Sequence, residues 1–290
     1  MKIRLKSISD GLFFLAILYL CSCESTVTDT LFTEVAKESG ITFANNLSYT
    51  EEFNPYTYRS FFNGGGVAIG DVNNDGLMDI YFTGNLVDNA LYLNKGDWQF
   101  EDITLSAGVT CGGVWSSGAT FADINGDGLL DIYVCKSGRP DGENRHNELF
   151  INNGDLTFTE KAKEYGLDIL GLSTHAAFFD YDKDGDLDCY VLTNSLKSIG
   201  GFDLIKDQRE IPDENGGGNK LLRNDGRTFT DVTIESGIYT SAIGFGLGIT
   251  LSDFNKDGWT DLFISNDFFE RDYLYINHEG KRFEERLEEY

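Results

Sequence analysis

Apolar and polar positions alternate along most of this chain in short runs that stop at Gly, Asn or Asp, a pattern of strands rather than helices. The runs recur in a fixed order. First comes a strand of small and apolar residues: GVAIGD ending at Asp71, GATFAD at Asp123, HAAFFD at Asp180 and GITLSD at Asp253. An acidic loop follows, then a second strand such as DIYF (79–82) or DIYV (131–134). Next is a strand, an Asn/Gly turn and another strand: NALYLNKGDWQFEDI from Asn89, NELFINNGDLTFTEK from Asn147, NKLLRNDGRTFTDV from Asn219 and DYLYINHEGKRFEE from Asp272. That turn chemistry is a hairpin's. A short joint closes the unit, SAGV at 106–109, with counterparts EYGL at 164–167 and ESGI at 235–238. Four strands in about 50 residues, repeated, are the signature of a β-propeller. The expected fold class is therefore all-β, a propeller of four-stranded blades.

Three departures from the repeat matter. A Gly-rich, charged insertion, Thr193 to Gly218, separates the second and third strands of unit three. It reads equally well as a binding loop on one face or as a flap with no role. Residues 31–41 (LFTEVAKESGI) match the last strand and joint of a unit, as in FTDVTIESGI at 229–238. The repeats are thus expected to open with an outer strand whose partners come from another blade. At the other end, Phe283 to Tyr290 stops before its joint. Either four blades close a ring or residues 31–290 are the front of a longer, incomplete propeller; these two ends favour the second.

The candidate chemistry lies in the four acidic loops: DVNNDGLMD (71–79), DINGDGLLD (123–131), DYDKDGDLD (180–188) and DFNKDGWTD (253–261). All read D-x-[DN]-x-D-G-x-x-D. Oxygen side chains at positions 1, 3, 5 and 9 suit one hard cation, as Ca²⁺ requires, and the Gly at position 6 allows the sharp turn. An EF-hand would need Glu at position 12, where Phe82, Val134, Val191 and Ile264 stand, and helical flanks. Each loop is instead expected in a β-hairpin, with the ninth-position Asp as closing carboxylate. A plain Asp/Asn/Gly turn explains one copy as well as a metal does. Four copies with every ligand position filled favour calcium.

The first 23 residues read as an export signal. Lys2, Arg4 and Lys6 precede an apolar core, Gly11 to Leu20, too short to span a bilayer. The sequence LCSC (20–23) resembles a bacterial lipoprotein box, which implies cleavage before Cys23 and lipidation of its sulfur, with 24–30 as a tether. Ordinary cleavage without lipid is the alternative. The chain is accordingly expected to be exported and lipid-anchored to a bacterial membrane, the outer one favoured, on the periplasmic or cell-surface side. A formal charge of −25 argues against nucleic acid and against anionic headgroups as partners. Cys111, Cys135 and Cys189 have neither zinc spacing nor an even count; Cys135 and Cys189 lie in strand-like runs and are expected as small buried side chains, one disulfide among the three in an oxidising compartment being the alternative.

The loops and hairpins resemble the FG-GAP/VCBS repeats of integrin-α-type propellers. The G-D-x-N-x-D-G-x-x-D-I-Y and L-Y-x-N-x-G-x-F patterns are most similar to exported bacterial members of the acidic cartilage protein family. The resemblance covers about Leu31 to Tyr290 and implies a seven-bladed propeller with structural Ca²⁺ in its hairpin loops. The ligands it implies are Asp71, Asn73, Asp75, Leu77 and Asp79; Asp123, Asn125, Asp127, Leu129 and Asp131; Asp180, Asp182, Asp184, Asp186 and Asp188; Asp253, Asn255, Asp257, Trp259 and Asp261. The seventh-position residues (Leu77, Leu129, Asp186, Trp259) would ligate through their carbonyls. Asp182 replaces Asn at position 3 of loop three, and the added charge should tighten that site.

Two function classes follow. The leading one is a calcium-stabilised, non-catalytic binding or scaffold module for a protein or glycan at the cell surface. The other is a polysaccharide-acting enzyme or glycan-binding subunit. For catalysis the chain offers only His146, His175 and His278, without a hydrolase, zincin or phosphate-loop motif. His175 fills the slot of Gly66 and Gly118 and is expected near the axis. The stretch 136–145 is expected as the most basic exposed loop, and Trp98, Trp115 and Trp259 as core or as sugar platforms.

Overall fold

The computed structural model describes residues 31–290 apart from 36, 113–114, 139–144, 196–216, 242 and 269. The signal, Cys23, the tether and most of the 193–218 insertion lie outside the described residues. Residues 1–35 and 36–290 form separate units, and the strands belong to the second.

Blade one consists of β1 (Val67–Gly70), β2 (Asp79–Phe82), β3 (Ala90–Asn94) and β4 (Phe100–Asp102). Blade two has β5 (Ser116–Ala122), β6 (Asp131–Lys136), β7 (Glu148–Asn152) and β8 (Phe158–Glu160). Blade three has β9 (Leu172–Phe179), β10 (Asp188–Asn194), β11 (Lys220–Asn224) and β12 (Phe229–Asp231). Blade four has β13 (Gly246–Ser252), β14 (Asp261–Asn266), β15 (Tyr273–Asn277) and β16 (Phe283–Glu285). Each is an antiparallel meander in chain order. The first strands lie side by side, β1 against β5, β5 against β9 and β9 against β13. This is the β-propeller architecture the repeats predict.

Period-2 alternation turns one face of each sheet to each neighbour, so apolar layers form between blades. Tyr81, Leu91, Ile132 and Val134 join blades one and two. Tyr133, Leu149, Cys189 and Val191 join two and three, and Tyr190, Leu221, Ile264 and Tyr275 join three and four. Each such side chain contributes about 1.5–3 kcal/mol on burial. Tyr81 and Tyr133 keep their hydroxyls satisfied by donating to Val109 O (2.7 Å) and Leu167 O (2.9 Å). All three described cysteines are free and buried.

The joints fasten each blade to the next. Two contain one-turn helices, α1 (Thr104–Ala107) and α2 (Ala162–Tyr165), each ended by a left-handed glycine, Gly108 or Gly166. The joint backbone meets the next blade's outer strand: Phe100 N donates to Ser39 O (2.8 Å) and Phe283 N to Ser236 O (2.6 Å). Ser39 and Gly40 thus form the joint predicted at the start of the repeats. The outer strand predicted before it does not form at 31–35, and Leu31 and Phe32 are exposed. An edge strand needs a paired neighbour, and no described strand pairs with this segment.

Two expectations about side chains change. Lys136 and Arg145, the ends of the supposedly exposed basic loop, are buried. Lys136 ends a fully buried strand and pairs closely with Glu148, while Arg145 Nη1 donates to Gly171 O at 3.2 Å. Trp115 is core, packed with Tyr58 and Phe61; Trp98 is exposed. His175 does pack on the inner strands, its Nδ1 3.0 Å from where a β-carbon on Gly118 would lie.

That Gly118 position explains the small residues at the start of the inner strands. A methyl there would also lie 2.5 Å from Thr174 O, which is backbone and cannot move aside cheaply. Gly118→Ala is therefore expected to destabilise the fold by about 1–3 kcal/mol, measured by urea unfolding; an unchanged midpoint would show that the inner strands are loosely packed.

Candidate metal centre

Each acidic loop is the turn of an inner hairpin, with Gly70 opposite Asp79, Ala122 opposite Asp131, Phe179 opposite Asp188 and Ser252 opposite Asp261. Two residues per loop are left-handed. The sixth-position glycines were foreseeable from sequence, at φ between 86° and 102°. The fourth position is left-handed as well: Asn74, Gly126, Lys183 and Lys256.

Within the turn, the first-position carboxylate draws the loop around itself. Asp71, Asp123 and Asp253 each accept the N–H of residue 5 on Oδ1 (3.0–3.1 Å) and of the glycine on Oδ2 (2.7–2.9 Å). Asn73, Asn125 and Asn255 donate to the fifth-position carboxylates of Asp75, Asp127 and Asp257. Those carboxylates in turn accept the N–H of Leu77, Leu129 and Trp259 at 2.9 Å, fixing the seventh residue. The implied ligands of each loop thus share one turn.

The ninth-position aspartates have a second occupation. Asp79, Asp131, Asp188 and Asp261 are buried, and both carboxylate oxygens accept backbone N–H groups. Oδ2 takes the second loop residue, Val72, Ile124, Tyr181 or Phe254, at 2.9–3.0 Å. Oδ1 takes the asparagine ending the third strand, Asn94, Asn152, Asn224 or Asn277, at 2.8–2.9 Å. Each aspartate ties loop, second strand and third strand together whether or not a cation is bound.

Those asparagines were missed as site residues; in sequence they look like ordinary turn formers. Their side-chain amides hold the eighth-position carbonyls of Met78, Leu130, Leu187 and Thr260 (2.9–3.2 Å). Asn152 and Asn277 also reach the previous blade's loop, donating to Val72 O (2.8 Å) and Tyr181 O (2.9 Å). The recurring Asn followed by Gly two residues on (Gly96, Gly154, Gly226) or three (Gly280) is the signal that could have found them.

Loop three differs from the other three. One oxygen each from Asp180, Asp182 and Asp188 lie within 4.8 Å of one another. Asp182 cannot donate as Asn does, and Asp180 Oδ1 and Asp186 Oδ1 are buried without a hydrogen-bond partner. Burial, with repulsion from Asp182 and Asp186, pushes Asp188 up to about 7. Burial and the neighbouring Asp184, Asp182 and Asp180 push Asp186 up to about 6. Burial raises Asp131 to about 6 as well. Uncompensated, crowded carboxylate oxygen is what a hard divalent cation would relieve, and the all-oxygen donor set fits Ca²⁺. The Asp186 side chain is not part of that three-residue group, but its unpaired Oδ1 adds uncompensated carboxylate oxygen to the same loop.

Two predictions follow from these contacts. In the cation-free fold Asp188 keeps its proton to about pH 7 and Asp131 and Asp186 to about pH 6, against about 4 in the unfolded chain. Between those values the folded state binds more protons, so this stabilisation is complete below about pH 4 and is lost as pH rises through 6 to 7. Thermal melts in chelator are expected to fall across that window, and millimolar calcium to flatten the fall; a chelated protein that gains stability with pH contradicts it. Separately, Asn152→Ala is expected to cost about 2–4 kcal/mol by leaving buried carbonyls unpaired. Asn94→Ala, which lacks the link to a preceding blade, should cost less; equal losses would remove the inter-blade bond from the account.

The match to a repeat family agrees with this architecture. A model of the FG-GAP-like repeat matches residues 71–134 and 138–191. Cartilage acidic protein 1 of Xenopus tropicalis is 28% identical over 230 residues, 78% of this chain and 32% of that protein. Integrin alpha-8 of Gallus gallus is 32% identical over 126 residues, 38% of this chain and 12% of that protein. This chain therefore spans about a third or less of the length of these relatives. A solved Agrocybe aegerita lectin, described as recognising non-reducing terminal N-acetylglucosamine, aligns at a TM-score of 0.41 and 18% identity, over 76% of this chain and 50% of that one. Blade topology, loop motif and family match converge: residues 71–134 and 138–191 are FG-GAP-like repeats, in a chain similar to cartilage acidic protein 1 and integrin alpha-8.

Proposed function

We propose that this protein is a calcium-stabilised binding or scaffold propeller, exported and held at a bacterial membrane through Cys23, with no catalytic role. The observation carrying the calcium part is loop three, where buried carboxylate oxygens of Asp180 and Asp186 have no partner. Asp180, Asp182, Asp184 and Asp188 would hold the ion there with Asp186; the first, third, fifth and ninth residues would hold it in the other loops. The ion would supply positive charge that pins the first two strands of each blade.

The histidines support a non-catalytic reading. His146 Nδ1 meets Asp168 O at 2.8 Å, His278 Nε2 meets Glu284 at 2.9 Å, and His175 is packed against the inner strands, where burial lowers its pKa. Each is engaged by its own scaffold. Export and anchoring rest on the signal-like segment and its LCSC sequence.

Extracellular calcium modules bind with dissociation constants of roughly 10⁻⁴–10⁻³ M. At ~1 mM calcium each site then contributes about 0.4–1.4 kcal/mol. Calcium titration should give about four ions, loop three filling first, and chelation should lower the melting temperature on the order of 3–15 °C. Asp182→Asn should bring loop three to the affinity of the others. No binding and no thermal shift would leave the loops as plain turns. Turnover of any member of a polysaccharide panel would replace the scaffold reading with an enzyme.

A further inference from the structure

The hairpins that carry the acidic turns at one end frame a cavity at the other. The inner strands begin there with bulges, at Ser116/Gly118 and Gly246/Gly248. The second strands also end there, at Asn194 and, one residue past β14, Asp267. Bulges re-aim side chains at such rims. The resulting cavity has a volume of about 370 Å³. That suits one or two rings of a small ligand.

Its wall combines aromatic faces with a few polar groups. Arg59 lies across the back, its Cζ 4.2 Å above the Phe245 ring, and its Nη2 donates to Ser195 O. Phe268 packs edge-on to Phe245, with centroids 4.9 Å apart, yet half of its surface is exposed. Its backbone is left-handed, φ 61°, a strained state for an aromatic residue. Ser117 and Thr174 are spent on backbone: Ser117 Oγ donates to Ser173 O at 2.6 Å and Thr174 Oγ1 to Gly246 O at 2.9 Å. Asn194 is different. It is 3% exposed, and its Oδ1 has no hydrogen-bond partner. A buried amide oxygen left unpaired costs about 1–3 kcal/mol. Asp267, also on the cavity wall, accepts the Phe268 N–H on Oδ1 at 2.7 Å.

The charges narrow the ligand. An anion would face Asp267 on a chain of net charge −25, and the guanidinium that might attract it is already stacked and bonded. A cation would meet the Arg59 guanidinium, whose Cζ lies 4.2 Å from the Phe245 centroid and 5.9 Å from that of Phe268. What remains is a neutral molecule with hydroxyl donors on one side and a flat C–H surface on the other. We propose that this cavity binds a neutral pyranose, its hydroxyls donating to Asn194 Oδ1 and Asp267, its ring face on Phe268. The inference deepens the binding-module reading and rests on it.

The test uses the intact chain in millimolar calcium, titrated with methyl pyranosides of neutral hexoses and N-acetylhexosamines by calorimetry and saturation-transfer NMR. A uronic acid and tetramethylammonium serve as charged probes. At least one neutral pyranoside should bind saturably, and Phe268→Ala and Asp267→Asn should each weaken it tenfold or more. Both side chains are exposed, so melting curves should show both variants folded. Trp98→Ala, an exposed aromatic outside the cavity, should leave binding unchanged. Saturable binding insensitive to both cavity variants would overturn the site while leaving the binding-module reading intact. Binding of charged probes alone, or of none by calcium-loaded, folded protein, would overturn the ligand class.

Discussion

The structure depends on a buried carboxylate repeated once per blade. Asp79, Asp131, Asp188 and Asp261 sit where the loop re-enters the sheet, each with one oxygen on a loop N–H and the other on an N–H of the third strand. Withdrawing a carboxylate from water is costly, and two charge-assisted hydrogen bonds offset that cost in part. The remaining imbalance appears as raised proton affinity, up to about 7 at Asp188. A nearby cation would remove it. The same residue would therefore link fold and metal affinity: the bonds that shape the turn also hold the charge that a cation would answer.

Blade-to-blade coupling uses a second, mostly neutral set of contacts. Asn152 and Asn277 carry an amide from the end of one third strand to a loop carbonyl of the preceding blade. The joint glycines let the chain pass close to the next outer strand; a methyl on Gly166 would lie 2.9 Å from Phe229 O. Between these polar seams the apolar layers supply most of the burial. The blades thus share hydrogen bonds at the rim and hydrophobic area between faces, and position 4 extends this. Asn74 donates to Gly128 O at 3.0 Å, and Lys183 Nζ lies 4.1 Å from the centre of the Trp259 ring in loop four.

The two ends of the inner hairpins are chemically distinct. One gathers carboxylates that repel one another. The other gathers aromatic rings, a stacked guanidinium and an unpaired amide oxygen around a small cavity. Seven residues of extended strand place the ends roughly 20 Å apart, so a stabilising role at one leaves the other free to face a ligand.

Much of this was already determined by sequence. Strand period, turn residues and the spacing of D-x-[DN]-x-D-G-x-x-D dictate the blades and their order, because alternation and turn chemistry act between near neighbours in the chain. They also dictate that the first, third, fifth and ninth side chains share one turn. Tertiary structure decided the rest. It made the ninth aspartate a buried staple, recruited Asn94, Asn152, Asn224 and Asn277, and left Asp180 and Asp186 with unpaired oxygens. It buried Lys136 and Arg145, which look exposed by composition, because strand β7 brings Glu148 to the former. It also assembled the cavity from Arg59, Asn194 and Phe268, residues more than 70 positions apart. Contacts of that range depend on how blades stack, and stacking is set by the whole set of packed faces rather than by any local run of residues.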